Sequence, residues 1–373
     1  FTALNGKHFG QHNKPMMKPG IALLLTLFIA CPAAPVQTAE PQQDLQAKSD
    51  DPTGALDHPD VNQRIQRLRQ LVRETKEAAA LAVDSYRPTM KGPVDDLSTP
   101  VPDILRQLPG VAKVSVHKPV DRPTHRIVHL TDWHFLSKAL FAADIRDVAG
   151  ESVSDAKIDD LYEELLLEVE LVQIEQKTVL RCLVKHNGLR RVFCEGLTKE
   201  DMLFYKLKVA ALRRVEKQIP DVREQIEEAV RTMAEMEKAG EENSDDYRLA
   251  AEIRAELESL LYQHRLDLLR VGAAGQLFMA GELEEVVPVD DEGLLAQANP
   301  VAEDGKVNLD REVIEARQDA QVRTMIEGGR FVLVILGGAH DLANNVAKLA
   351  GRDGEYVRVT TRWGQRFGRE RAE

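Results

Sequence analysis

An α/β fold is expected: a mixed, largely parallel sheet flanked by helices, with a helical insertion between two halves of its core. Three features of the chain point to it. The run Phe331-Val-Leu-Val-Ile-Leu336 is apolar at every position. Such a strand is buried on both faces, as in a parallel sheet covered by helices. Strand-like runs alternate with helical periodicity from residue 126 to residue 361, the pattern of α/β proteins. One densely charged helical stretch, 199–270, interrupts the alternation.

The amino end reads as an address. Met16-Met17-Lys18-Pro19-Gly20 precedes the apolar run Ile21–Ala30 and then Cys31. A basic start followed by about ten apolar residues is too short to span a bilayer and matches a secretory signal. The ending Phe28-Ile29-Ala30-Cys31 resembles a bacterial lipobox, which implies lipidation at Cys31. Residues 1–31 are therefore expected to be a signal peptide, and the protein to be exported to the periplasm or cell envelope. Membrane association would run only through a lipid anchor at Cys31. Residues 32–60 carry Pro, Gln, Asp and Ser without apolar periodicity and read as a disordered tether.

Composition narrows the function classes. The 373 residues are 43% hydrophobic and 29% charged, which suits a cored chain rather than a disordered one. Formal net charge is −12, and the first 31 residues contain three Lys and no acid, so the remainder is more acidic still. An acidic body repels phosphate backbones, and aromatics at 5% leave little for base stacking, so no nucleic-acid partner is expected. Three Cys exclude a disulfide scaffold or a four-cysteine zinc site.

The first half of the core is placed at 61–198. Ile65, Leu68, Leu71 and Val72 lie at helical spacing within an amphipathic helix, 61–83. The proline-bearing segment 87–123 reads as mostly irregular. Arg126–Leu130 is a short strand, and 155–186 is a long helix stopped by Asn187-Gly188. Arg191–Cys194 is a second strand. The insertion, 199–270, reads as three antiparallel helices broken at Pro220 and at 240–246, its mixed charges lining a solvated face. The second half occupies 271–373. Val286–Val289 is an edge strand because Pro288 lies within it. A helix over 311–327, the strand Phe331–Leu336, a helix over 342–349 and a strand over 356–361 complete the chain.

Polar residues gather at strand ends. Asp132 and His134 follow the first strand, Glu195 the second, and His340 and Asp341 the apolar strand 331–336. If these strands are parallel, their carboxyl ends share the sheet edge where open α/β sheets place ligands. Imidazoles and carboxylates converging there suit a divalent metal or acid–base chemistry. The glycines of Gly337-Gly338-Ala339-His340 would let the backbone turn sharply and approach a ligand.

These motifs resemble the superfamily containing erythromycin esterases, ChaN-type haem-binding lipoproteins and TraB/Tiki-like proteins. In that superfamily a first strand ends on Gly-Glu-x-His or Gly-x-x-His, a second on Glu, and a later one on Gly-x-x-His, preceded by a helix bearing an Arg. This chain has Thr131-Asp132-Trp133-His134, Glu195, Arg317 and Gly337-Gly338-Ala339-His340, with Thr131 and Asp132 replacing the first motif's Gly and Glu. The resemblance covers roughly 120–373. It implies an exported metal-dependent hydrolase-like protein acting on an ester or amide of a small molecule or peptide. His134, Glu195 and His340 would hold a divalent metal, Asp132 would orient or ligate, and Arg317 would steady an oxyanion or carboxylate. The ChaN branch implies an alternative, a non-enzymatic haem- or iron-binding lipoprotein. A degenerate core retained for protein interaction is a further reading.

A rival resemblance begins at the same residues. Asp132-Trp133-His134 is similar to the opening Asp-x-His of calcineurin-like metallophosphoesterases, and Gly338-Ala-His-Asp341 to their Gly-Asn-His-Asp. The intervening Gly-Asp-x-x-Asp and a later Gly-His-x-His are absent from the sequence, so this reading ranks lower. Among the remaining candidates, His129 is read as packed within its strand, Cys182 and Cys194 as buried thiols, and His186 as a helix-end cation.

Overall fold

The computed structural model describes residues 61–370 apart from 91, 118, 134, 151 and 299–309. The expected signal peptide, lipobox Cys31 and tether, as well as His134, lie outside the described residues.

Six strands form one sheet in the order β1-β6-β2-β5-β3-β4, where β1 is Val111–His117, β2 His125–Asp132, β3 Arg191–Cys194, β4 Glu285–Pro288, β5 Phe331–Gly337 and β6 Gly354–Thr361. Only β1 runs antiparallel, along β6; every other pairing is parallel. The α/β expectation is met, and each of the anticipated strands is present. Every residue of β5 is buried, as its uninterrupted apolar sequence requires.

The two-residue period of the strands sorts side chains onto opposite faces. One face carries Ile127, Val332, Val334, Leu336, Phe193 and Tyr356, packed under Val322 and Met325 of α9 (Arg311–Gly328) and Val346 of α10 (Ala343–Leu349). The other carries Val128, Leu130, Leu333, Ile335, Val192, Val357 and Val359. It is covered by α2 (Val101–Gln107), the carboxyl half of α4 (Asp155–Asn187), α5 (Met202–Glu216) and the end of α7 (Asp245–Ala280). A separate cluster joins α1 (Val61–Ser85), α3 (Lys138–Ala149) and the amino half of α4 through Ile65, Val72, Phe141, Leu165 and Leu166. Trp133 belongs to this cluster and packs beside Phe367, at 6.2 Å between rings.

Local signals account for most boundaries. Ser154 Oγ accepts the Lys157 N–H at the start of α4, and Gly188 ends it in the left-handed region (φ 69°). Pro220 stands in the first turn of α6 (Ile219–Ala239), where its missing N–H costs nothing. Ser244 caps α7, and α5, α6 and α7 connect β3 to β4 as the three expected helices. The Gly272–Gly275 segment lies inside α7, where Gly272 kinks the helix (φ 68°). A Cβ on Gly275 would come within 2.4 Å of the Tyr205 hydroxyl, so this glycine permits the close approach of α5.

The reading of 87–123 as mostly irregular is corrected by α2 and β1. Pro100 and Pro102 sit where a helix start tolerates proline, and β1 is an edge strand with alternating exposure, so its sequence lacks the apolar run that marks β5. The terminal helix α11 (Arg362–Glu370) was not anticipated either. Buried Glu175 of α4 holds its start, accepting from the Trp363 N–H (2.8 Å) and Arg362 Nε (3.1 Å).

His129 is a core residue, as expected. Its Nε2 lies 3.0 Å from the Leu336 carbonyl, which can only accept, so the ring carries its proton there and Nδ1 accepts from the Tyr356 hydroxyl at 2.7 Å. Burial, assisted by the Arg358 charge, pushes the imidazole down to about 3. The unfolded chain takes up a proton near pH 6.5 that the buried ring refuses, so stability falls as pH drops from there toward 3. This residue should contribute about 1.4 kcal/mol of loss per pH unit over that window. Urea unfolding at pH 7, 6 and 5 should therefore show a shallower acid dependence in His129→Gln than in the parent; identical slopes would refute the assignment.

Candidate functional site

Parallel pairing brings the carboxyl ends of β2, β5 and β3 to one edge. Asp132 is level with Gly337 across β2 and β5, and Cys194 pairs with Ile335 across β3 and β5. Glu195 extends that ladder by donating its backbone N–H to the Ile335 carbonyl (3.2 Å). Three of the expected site residues meet there. Glu195 Oε1 is 2.9 Å from His340 Nε2 and accepts from Arg317 Nη2 at 3.0 Å. Its Oε2 accepts the Gly337 N–H at 2.7 Å.

Arg317 reaches the edge from α9. Its Nε and Nη2 also donate to the two oxygens of Asp290, at 2.8 and 3.2 Å. Asp290 follows β4, is fully enclosed, and accepts in addition from the Gly196 N–H (2.7 Å) and Gln321 Nε2 (2.9 Å). One helical turn separates Arg317 from Gln321, so both reach Asp290 from the same side of α9. Gln318 Nε2 lies 3.1 Å from His340 Nδ1. With the amide donating, Nδ1 accepts and the ring proton resides on Nε2, aimed at Glu195.

His340 is held in a turn in which its N–H bonds the Gly337 carbonyl (3.1 Å) and the Gly338 N–H bonds the Asp132 carbonyl (3.0 Å). Neither Gly337 nor Gly338 has positive φ, so the turn forms without the left-handed backbone their sequence suggests. Asp341 is a helix-start residue: its Oδ1 accepts the Ala343 N–H at 3.1 Å.

Asp132 goes elsewhere. Two-residue alternation turns its side chain to the face opposite Glu195, where Oδ1 accepts from Gln176 Nε2 of α4 at 2.8 Å. It neighbours Cys194, whose thiol is pushed up by burial and then by the Asp132 charge. Thus Glu195, Arg317 and His340 form one assembly, and Asp132 stands across the sheet from it. Among the described residues, no group of three or more His, Cys, Asp or Glu side chains is placed to hold a metal ion. His186, read from sequence as a helix-end cation, packs edge-on against Tyr86, and burial lowers its affinity for a proton.

Three contributors escaped the sequence reading: Asp290, Gln318 and Gln321. Asp290 had a usable signal, since it follows the apolar run Val286–Val289 as Glu195 follows its own strand. The glutamines become legible only once α9 is docked.

Searches of family models, of curated proteins and of solved structures find no match to the chain.

The Arg317–Asp290 pair is buried on both sides. Removing one partner strands the other's charge, which costs about 3–5 kcal/mol. Asp290→Ala and Arg317→Met should each lose roughly that much stability in denaturant unfolding, and the double variant should lose clearly less than the two single losses combined. Simple additivity would show that the pair is not coupled.

Proposed function

We propose that the chain is a hydrolase of esters or amides whose proton-transfer centre is the Glu195–His340 couple. The observation that carries this reading is the 2.9 Å contact between these side chains at the carboxyl edge of the sheet, with Arg317 and Gln318 fixing their orientation. In such a reaction water takes the place of the Gln318 amide at His340 Nδ1, attacks the substrate carbonyl and gives its proton to that nitrogen, while Nε2–H stays bonded to Glu195. The proton then passes to the leaving oxygen or nitrogen as the carbon–heteroatom bond breaks. Arg317 acts as a positioning residue, because its bonds hold Asp290 on one side and Glu195 on the other.

The divalent metal expected at His134, Glu195 and His340 suits this donor set less well. Glu195 already serves a guanidinium, an imidazole and a backbone N–H, and a dication beside it would face the Arg317 charge. The export reading rests on the sequence of 16–31. No helix of the described residues is long and apolar enough to cross a membrane.

The test is hydrolysis of model aryl esters and short amides by the full chain, with and without a chelator. Glu195→Gln and His340→Gln should each lower kcat/KM by roughly 10²–10⁴-fold while retaining their circular dichroism, and the parent's activity should survive chelation. Undiminished turnover in both variants would refute the couple. Activity abolished by chelation and restored by one metal would favour the metal-dependent reading, with His134 as its third ligand.

A further inference from the structure

Arg358 differs from the other arginines drawn into the body of the protein. Arg126 is paired with Glu355, Arg317 with Asp290 and Glu195, and Arg265 with Glu163 and Glu170. Arg358, half-buried on β6, makes no ion pair among the described residues, and its one hydrogen bond there runs from Nη2 to the Gly338 carbonyl. A guanidinium has five N–H donors, so one carbonyl leaves most of its capacity unused. In a chain of net charge −12, carboxylates are plentiful, yet none among the described residues reaches this cation.

Its position gives the unused capacity a direction. Arg358 is level with His129 across β6 and β2, on the sheet face that carries the Glu195–His340 assembly. The bond to Gly338 sets the guanidinium against the turn whose second following residue is His340. Arg317, the other cation of the assembly, is already engaged by Asp290 and Glu195.

We propose that Arg358 anchors an oxyanion group of the substrate, a carboxylate or a phosphate, beside the Glu195–His340 couple. The planar guanidinium fork suits two parallel N–H···O bonds to such a group. An incoming anion would supply the counter-charge that the fold withholds. This specificity assignment rests on the hydrolase reading for the meaning of "substrate", but the binding itself can be measured without turnover.

Isothermal titration calorimetry of the full chain at low ionic strength, with inorganic phosphate and separately with acetate, tests it. Saturable binding of one of them is expected, and whichever binds tighter identifies the group. Arg358→Gln should weaken that binding by about tenfold or more, and Arg223→Gln, which removes an equal charge from the exposed face of α6, should leave it within about threefold. Anion binding that is lost in Arg358→Gln but present in a parent without hydrolase activity would keep the anchor and discard the reaction. Absence of saturable binding in the parent, or equal affinity in Arg358→Gln, would overturn the anchor. Should Arg358→Gln not fold, Arg358→Lys keeps the charge but not the fork; it should bind at least about threefold more weakly, and parental affinity in it would count against the proposal.

Discussion

The parallel register between β2 and β5 is the constraint on which the rest depends. Seven consecutive residue pairs, from Arg126 with Phe331 to Asp132 with Gly337, fix the level of both strand ends. That register carries the His340 turn to the sheet edge and aims the Gly337 N–H at Glu195. It also decides which side chains share a face. A slip of one residue would exchange His129 and Leu130, burying a different set against α9 and dispersing the polar assembly.

Charge is handled differently at the two edges of this sheet. At the amino end, Arg126 and Glu355 are enclosed together, and the Thr99 carbonyl takes a further guanidinium N–H. That pair links β2 to β6 and touches nothing reactive. At the carboxyl end, Glu195 is shared between the Arg317 guanidinium, which Asp290 also holds, and the His340 imidazole. Burial with complete pairing suits scaffolding. At the other end the carboxylate is divided among a guanidinium, an imidazole and a backbone N–H, so its position depends on three elements at once.

Sheet membership was legible wherever a strand is buried on both faces, because apolar continuity is then obligatory: β5 and most of β2 announce themselves. The edge strand β1 was not, since one-sided burial and flanking prolines give Val111–His117 no continuous apolar signal. The strand-end pattern singled out Glu195 and His340, which do lie in contact, and Arg317 was named through the family resemblance. The pattern also gathered Asp132, which lies at the same edge but on the other face, as the parity of residues along a strand dictates. Asp290 was overlooked because the strand before it is short and contains Pro288. Contacts from one helix to a neighbouring loop, such as Gln318 to His340, have no sequence signature and require docking geometry.

The placement of β2 also sets an order of events in time. Both of its neighbours, β5 and β6, come from the last stretch of the chain, about two hundred residues after it. Helical hairpins such as α6–α7 can form from local contacts while synthesis proceeds, but the middle of the sheet cannot close until its final strands exist. Until then Ile127, Val128 and Leu130 have no lasting shelter. A chain of this topology gathers its apolar centre and its polar edge only once β5 and β6 are present, so a molecule cut short before β5 would retain helices without the middle of the sheet.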